Sequence, residues 1–213
     1  MRILIVDDHP LFRAMVRQVV AGAFADAVFG EAASATEALR GIQTEDWDVV
    51  VLDVFMPGRS GLDILRDIRN LKPHLPVLIL TAYAEEEFAV RMIESGADGF
   101  LTKDCPLDDL VAAVRKVTTG HKSISPAVAE CLARRLQSPG GMQPHERLSE
   151  REYEVLCQLA QGRSVAWIAR ELVLSPKTVQ TYRRRLRIKL RVTNTAELVR
   201  YAVEHRLIPS LTY

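Results

Sequence analysis

VVVLDVFMPG, residues 49–58, is the segment most informative about the fold, because four aliphatic residues directly precede an acidic one, Asp53. A short apolar run without alternation is typical of a strand that is buried on both faces of a parallel sheet. Similar short runs lie at residues 3–6, 28–29, 77–80 and 100–102. Because helical patterns separate these runs, residues 1–120 predict a five-stranded parallel sheet with helices on both faces.

The residues that follow the predicted strands carry the chemistry. They are Asp7 and Asp8 after the first strand, Asp53 after the third, Thr81 at the end of the fourth and Lys103 after the fifth. Proteins with parallel sheets bind ligands at the edge formed by the carboxyl ends of the strands. Carboxylates that lie together at that edge are suitable ligands for Mg²⁺. Lysine and threonine beside a metal-bound carboxylate can hold the oxygens of a transferred phosphoryl group. An acidic solvated rim with an unrelated lysine is the alternative, but all five positions together favour an aspartate that accepts phosphate.

The charge of the chain is unevenly distributed. Residues 1–120 carry 12 Lys and Arg against 19 Asp and Glu, whereas residues 148–213 carry 12 against 6. An acidic first part joined to a basic last part predicts two functions, the second of them on nucleic acid.

The second half of the chain predicts helices only. Residues 126–136 are a helix candidate, and SPGGMQP, residues 138–144, is the best linker in the chain. Four short helix patterns follow, each opened by a capping residue: Ser149, Ser164, Ser175 and Asn194. We therefore expect a domain with the parallel sheet at residues 1–120, a linker at 121–147 and a small all-helical domain at 148–213.

The third of these helices has two distinct sides. At 100° per residue, one stripe is apolar and is expected to pack on the core: Val179, Tyr182, Leu186 and Leu190. Seven Lys or Arg and no acidic residue lie between Lys177 and Arg191. A solvated surface helix normally mixes charge signs, so the pattern, with the capped short helix before it, favours a DNA-recognition helix. The predicted contacts are base edges for Gln180, Thr181 and Arg184, and phosphates for Lys177, Arg185 and Arg187.

Four segments of the first part resemble the receiver domain of two-component response regulators. They are VDDHP (6–10), LDVFMPG (52–58), LTAY (80–83) and GADGFLTK (96–103). The resemblance implies a doubly wound, flavodoxin-like fold with Asp53 as the phosphoacceptor. It also implies that Asp7, Asp8 and the backbone carbonyl of Phe55 complete the Mg²⁺ site, and that Thr81 and Lys103 bind phosphoryl oxygens. Phe100 takes the place of the switch aromatic residue.

The last part resembles the LuxR-type helix-turn-helix domain of the NarL/FixJ class. The matching residues are LSERE (148–152), GRS (162–164), Ile168, Ala169, Leu172, Ser175, Thr178, Val179, Lys189 and Leu190. Thr178 joins the implied DNA-binding residues on this resemblance. Tyr182 replaces the usual histidine, and Trp167 stands where the family usually has a polar residue. Trp167 is expected to project outward, either half-covered by a neighbouring side chain or in contact with the DNA backbone or the receiver domain.

The sequence therefore predicts a phosphorylation-switched DNA-binding transcription regulator rather than an enzyme. Its expected partners are a cognate histidine kinase, double-stranded DNA and, when phosphorylated, a second copy of the chain. No apolar run approaches the ~20 residues that span a membrane, no secretory signal is expected, and three scattered cysteines fit a reducing cytoplasm. A phosphate-independent DNA binder with a vestigial receiver is one alternative. A haloacid-dehalogenase-like phosphatase is another, although such enzymes carry a second Asp where this chain has Phe55.

Overall fold

A computed structural model of the protein describes residues 1–56, 59, 61–82, 86–137, 143–205 and 207–208. The chain forms two compact units, and the boundary between them falls between Ala129 and Glu130. Some residues of the quoted motifs lie outside the described residues: Pro57, Gly58, Tyr83 and residues 138–142 of the predicted linker.

The first unit is built on the predicted five-stranded parallel sheet. Its strands are β1 (Arg2–Val6), β2 (Val28–Ala32), β3 (Val49–Leu52), β4 (Val77–Thr81) and β5 (Gly99–Thr102). Their spatial order is β2-β1-β3-β4-β5, and every pair is parallel. This order reverses direction next to β1, so the carboxyl ends of β1 and β3 flank the point where such folds bind ligands.

Five helices connect and cover the strands. They are α1 (Pro10–Ala23), α2 (Ala35–Thr44), α3 (Gly61–Leu71), α4 (Glu86–Glu94) and α5 (Leu107–Thr118). Pro10 stands in the first turn of α1, as predicted, because that position needs no backbone N–H. Gly61 begins α3 directly against Val54, where any Cβ would overlap the valine side chain.

A continuous apolar core holds the sheet against α1 and α5. Alternate residues of the strands point to this side, including Ile3, Ile5, Val49, Val51, Leu78 and Leu80. They pack against Val16 and Val20 of α1 and against Leu110 and Val114 of α5. Because all of these side chains are almost fully buried, the strand ends are fixed in position and so are the polar residues that follow them.

The second unit is helical. It contains most of α6 (Pro126–Gln137), and then α7 (Glu150–Ala160), α8 (Val165–Glu171), α9 (Pro176–Leu190) and α10 (Thr195–Glu204). The four predicted caps are confirmed: the side chains of Ser149, Ser164, Ser175 and Asn194 each accept a hydrogen bond from the backbone N–H three residues later. None of the described helices is both long and apolar enough to cross a membrane.

Two local features of this unit differ from the sequence prediction. A short 3₁₀ helix at Pro144–Arg147 lies within the segment that was predicted as linker. The imidazole of His145 in this helix is buried, with Nδ1 3.0 Å from the hydroxyl oxygen of Tyr201 in α10. That contact joins residues 56 positions apart, so local sequence patterns give no sign of it.

Candidate functional site

Three carboxylates meet at the carboxyl edge of the sheet, as the sequence predicts. Asp7 and Asp53 are 2% and 4% exposed, and Asp8 is more open. One ligand atom from each of Asp7, Asp8, His9 and Asp53 lies within 4.8 Å of the others. His9 is the N-cap residue of α1, although its side chain makes no cap hydrogen bond. Its ring Nδ1 lies 3.2 Å from Asp7 Oδ1.

Lys103 is the positive group of this cluster. Its Nζ lies 2.6 Å from Asp7 Oδ2 and 2.6 Å from Asp53 Oδ2. Burial alone would lower the pKa of Lys103, but the two carboxylates outweigh it and raise the pKa above its ordinary value. Nζ also lies 4.4 Å from the centre of the Phe12 ring, which keeps the lysine stem beside α1. No local sequence pattern indicates this contact between the lysine and an aromatic ring.

Asp53 itself is held from two sides. The backbone N–H of Phe55 donates to Asp53 Oδ1 at 3.0 Å, and Lys103 donates to Oδ2. Burial raises the pKa of Asp53, and the Lys103 ammonium and the Phe55 amide offset only part of this increase. A buried carboxylate with a raised pKa gains further stabilisation from any additional cation at the site.

The cluster fits a divalent cation. Asp8 Oδ1 is buried and accepts no hydrogen bond in the described part of the chain, although His9 Nδ1 lies 2.9 Å away in a poor orientation. A buried carboxylate oxygen without a donor requires a partner, and the neighbouring oxygens of Asp7 and Asp53 are hard ligands. The residues present are therefore compatible with Mg²⁺.

Thr81 and Phe100 belong to the last two strands of the sheet, Thr81 at the end of β4 and Phe100 within β5. Thr81 is fully buried, and its carbonyl accepts a hydrogen bond from the backbone N–H of Lys103 at 2.7 Å. Phe100 is 7% exposed and meets Phe88 edge to face, with ring centres 6.2 Å apart. Phe88 also contacts Phe55, with 5.2 Å between the ring centres. Three aromatic rings therefore form a row from Phe55, two residues after Asp53, to Phe100 in β5. Phe88 carried no recognisable signal in the sequence.

The second candidate site is the helix pair α8 and α9. The turn between them contains Val173 in the left-handed region, with φ 52°, and α9 begins immediately after the Ser175 cap. Val179, Leu186 and Leu190 of α9 are buried, as predicted. Tyr182, which the sequence also predicts to pack on the core, is only half-buried.

The opposite side of α9 is open to solvent. Its exposed residues include Lys177, Gln180, Arg184, Arg185 and Ile188. Thr178, Thr181 and Arg187 are half-buried. The Thr181 hydroxyl donates to the Lys177 carbonyl at 3.0 Å, and the Thr178 backbone N–H donates to the Ser175 cap. Thr178 therefore contributes to the cap of α9, and its contact with DNA stays a prediction.

The exposed cations of α9 are not neutralised by acidic neighbours. Within the described residues, Lys177, Arg184 and Arg185 form no ion pair. Lys189, by contrast, is paired at 2.6 Å with Glu152, which is buried and belongs to the α7 capping box. One face of α9 thus presents unpaired positive charge, while the ion pair fixes the rotation of the helix against α7.

Two family models match the chain, one in each of its two parts. A family model described as "Response regulator receiver domain" matches residues 3–115, which is more than half of the chain. The chain is a response regulator. A second model, "Bacterial regulatory proteins, luxR family", matches residues 146–202. This response regulator therefore combines a receiver with a LuxR-type helix-turn-helix domain and belongs to a family of transcription factors, not enzymes.

Similar proteins align along almost the whole chain. The response regulator GacA of Pseudomonas aeruginosa is 36% identical over 208 residues, covering 97% of both proteins. The response regulator UvrY of Escherichia coli is 34% identical over 206 residues, covering 96% of this chain and 94% of UvrY. A solved structure of RcsB from Salmonella enterica serovar Typhimurium, bound to the rprA promoter with the phosphomimetic BeF3⁻, is 25% identical, has a TM-score of 0.63, and covers 95% of this chain and 98% of RcsB.

Proposed function

We propose that Asp53 of this response regulator accepts a phosphoryl group and that the phosphorylated form binds DNA as a transcription regulator. The observation that carries the proposal is the Lys103 ammonium, 2.6 Å from both Asp7 and Asp53 at the carboxyl edge of the sheet. A structural ion pair needs only one carboxylate. An ammonium group shared by two buried carboxylates can instead stabilise the negative charge of a phosphoryl group that is transferred to one of them.

The proposed transfer uses groups that are already in place. A carboxylate oxygen of Asp53 forms a bond to phosphorus while the P–N or P–O bond of the donor breaks and its electron pair leaves with the donor. Lys103 turns from the carboxylates to a phosphoryl oxygen, and the buried Thr81 hydroxyl donates to another. Asp7, Asp8, Asp53 and the Phe55 carbonyl would hold Mg²⁺, which supplies positive charge to the phosphoryl oxygens when bound.

The proposed donor is a cognate histidine kinase or a small phosphodonor in the cytoplasm. We infer that the new charge at Asp53 draws Thr81 toward the site and shifts the aromatic contacts between Phe55, Phe88 and Phe100. The resulting change near β5 would promote a homodimer, expose the recognition helix, or do both. Coupling between such sites is typically ~1–3 kcal/mol, which changes occupancy about 5- to 150-fold.

The proposed DNA interface is the exposed side of α9. Gln180, Thr181 and Arg184 would reach base edges in the major groove, while Lys177, Arg185 and Arg187, together with Thr178, would bind phosphates. The unpaired charge of this side supports the assignment, because a negatively charged ligand can neutralise Lys177 and Arg185 without breaking an ion pair among the described residues. The proposal keeps the domain limits predicted from the sequence, with residues 1–120 as receiver, 121–147 as linker and 148–213 as DNA-binding domain.

Phosphorylation can be tested directly on the full chain. Acetyl phosphate with Mg²⁺ should phosphorylate the wild type, as detected by intact mass, and chelation by EDTA should prevent it. Asp53→Asn should remain unmodified, because an amide oxygen is too weak a nucleophile. Asp63→Asn, at an exposed position of α3, serves as the control for loss of a carboxylate and should behave like the wild type.

Two results would contradict the proposal. Labelling of Asp53→Asn at wild-type yield would place the phosphoacceptor elsewhere. Equal DNA affinity with and without the phosphodonor, in a protein that is fully labelled on Asp53, would instead favour a phosphate-independent DNA binder.

A further inference from the structure

The beginning of α8 carries a preformed pair of side chains that the proposed interface on α9 does not use. The guanidinium carbon of Arg163 lies 4.6 Å from the centre of the Trp167 ring. This stacking explains why the outward-facing Trp167 is half-buried rather than exposed, one of the two outcomes that the sequence left open. Arg163 itself remains exposed.

The backbone that carries both side chains is held by hydrogen bonds. The backbone N–H of Arg163 donates to the Gln158 carbonyl at 3.0 Å, which anchors the turn after α7. The backbone N–H of Trp167 donates to the Ser164 cap at 3.1 Å. The Arg163 guanidinium therefore lies over an aromatic surface in an arrangement that loses little conformational freedom when it binds a ligand.

Throughout the described residues, neither the guanidinium of Arg163 nor the indole N–H of Trp167 donates a hydrogen bond, and Arg163 forms no ion pair. Both groups are therefore available to a ligand that supplies acceptor oxygens and negative charge, as a phosphodiester does. In helix-turn-helix proteins the first helix of the motif crosses the DNA backbone, and α8 is that helix here.

We propose that Arg163 and Trp167 together bind a DNA phosphate: Arg163 pairs with the phosphate and Trp167 positions it. This inference rests on the proposed DNA binding by α9. A phosphate contact carries no base information, so the pair contributes equally to every DNA sequence. Trp167 acts as a positioning residue through its stacking, and its indole N–H is available as a second donor to the same phosphodiester.

The test measures binding of full-length variants, after treatment with acetyl phosphate and Mg²⁺, to a labelled random-sequence duplex at several salt concentrations. Arg163→Ala should lower the salt slope by about 0.9 per subunit, equivalent to about 8-fold in affinity at 0.1 M salt. Trp167→Ala should cost about 2- to 5-fold with an almost unchanged slope, because the charge remains. Trp167→Phe, which retains an aromatic surface, should keep most of the affinity.

The double variant separates a pair from two independent residues. Once Arg163 is alanine, Trp167→Ala should have a much smaller effect than it has alone, because its stacking partner is missing. Arg200→Ala is the control: it removes an exposed charge that is already paired with Glu204, and should bind like the wild type. Thermal unfolding of each variant checks that α8 remains folded.

The outcomes are distinguishable from those of the proposed function. If the wild type binds the duplex and Arg163→Ala retains its full salt slope, the phosphate contact is refuted while DNA binding by α9 stands. That result, together with altered control of DNA binding by phosphorylation, would assign the pair to contact with the receiver instead. If the wild type binds no DNA, both proposals fail.

Discussion

Alanine substitutions of the neighbouring residues Arg184 and Arg185 should change DNA binding in different ways. Both are exposed, both lack an ion pair among the described residues, and each substitution removes one positive charge. Arg184 lies on the stripe of α9 that contains Gln180, whereas Arg185 is one residue, or ~100°, further around the helix. The first is assigned to a base edge and the second to a phosphate.

The magnitude follows from the number of phosphates that α9 neutralises. Lys177, Arg185 and Arg187 give three contacts per subunit and about six in a dimer, which together contribute about −5.4 to the log-log salt slope. Between 50 and 200 mM salt, these six contacts alone should lower affinity about 10³-fold. Arg185→Ala removes two of the six contacts from the dimer, so the contribution of α9 to the slope should decrease in magnitude to about −3.6. The affinity ratio between target and random DNA should change little.

Arg184→Ala should instead reduce that ratio. A good bidentate base contact is worth about 1–3 kcal/mol of discrimination, or roughly 5- to 150-fold per half-site. The assay is fluorescence anisotropy with an operator selected from random duplexes and a scrambled duplex of equal composition, each at four salt concentrations. If Arg184→Ala retains full discrimination while Arg185→Ala loses it, α9 is rotated in the groove relative to our assignment.

Three further predictions concern single positions. Phe55→Asn should shorten the lifetime of the aspartyl-phosphate, measured by its decay after removal of the donor, because an amide can orient an attacking water where the phenyl ring cannot. An unchanged decay rate would contradict this. Burial acts to raise the pKa of Glu152, but hydrogen bonds from Lys189 and the helix cap outweigh it and hold the pKa below its ordinary value. The ionised carboxylate therefore stabilises the fold above about pH 4.3, and this stability is lost as the pH falls through the lowered pKa. Urea unfolding should show a stability deficit for Glu152→Gln at pH 7 that closes in acid, and a deficit independent of pH would refute the reasoning. Val173→Gly should stabilise the protein by about 0.5–1 kcal/mol in the same assay, because relief of ~1–2 kcal/mol of left-handed strain exceeds the entropy cost of glycine. Destabilisation would show that the exposed valine makes contacts worth more than its strain.

Much of the receiver could be predicted because its signals are local. The strands β1, β3 and β4 are uninterrupted apolar runs, and Asp7, Asp53 and Thr81 follow or end them in the chain. In a parallel sheet the carboxyl ends lie at one edge, so the topology alone brings these side chains together. The capping residues were equally predictable, since each cap bonds to a backbone N–H only three residues away.

Sequence patterns locate helices better than they locate helix limits. A proline such as Pro106 suits the first turn of a helix, whereas Pro106 is the N-cap of α5 and the helix begins at Leu107. At the C-terminal end of α1, the helix continues to Ala23, and the Phe24 backbone N–H still reaches the Val20 carbonyl. The terminal turns of a helix are held by backbone hydrogen bonds, which do not depend on the side chains present. The amino-acid sequence is therefore a poor guide to the first and last residue of a helix.

The amino-acid sequence is enough to predict the two-part organisation, the acidic edge of the sheet and the charged face of α9, because periodicity, chain order and charge are properties of neighbouring residues. It does not predict that Lys103 is shared between Asp7 and Asp53 or that Glu152 neutralises Lys189, which are contacts of the folded chain. These contacts join residues far apart in the chain, and their partners are selected when buried surfaces pack and a desolvated charge must find its counter-charge.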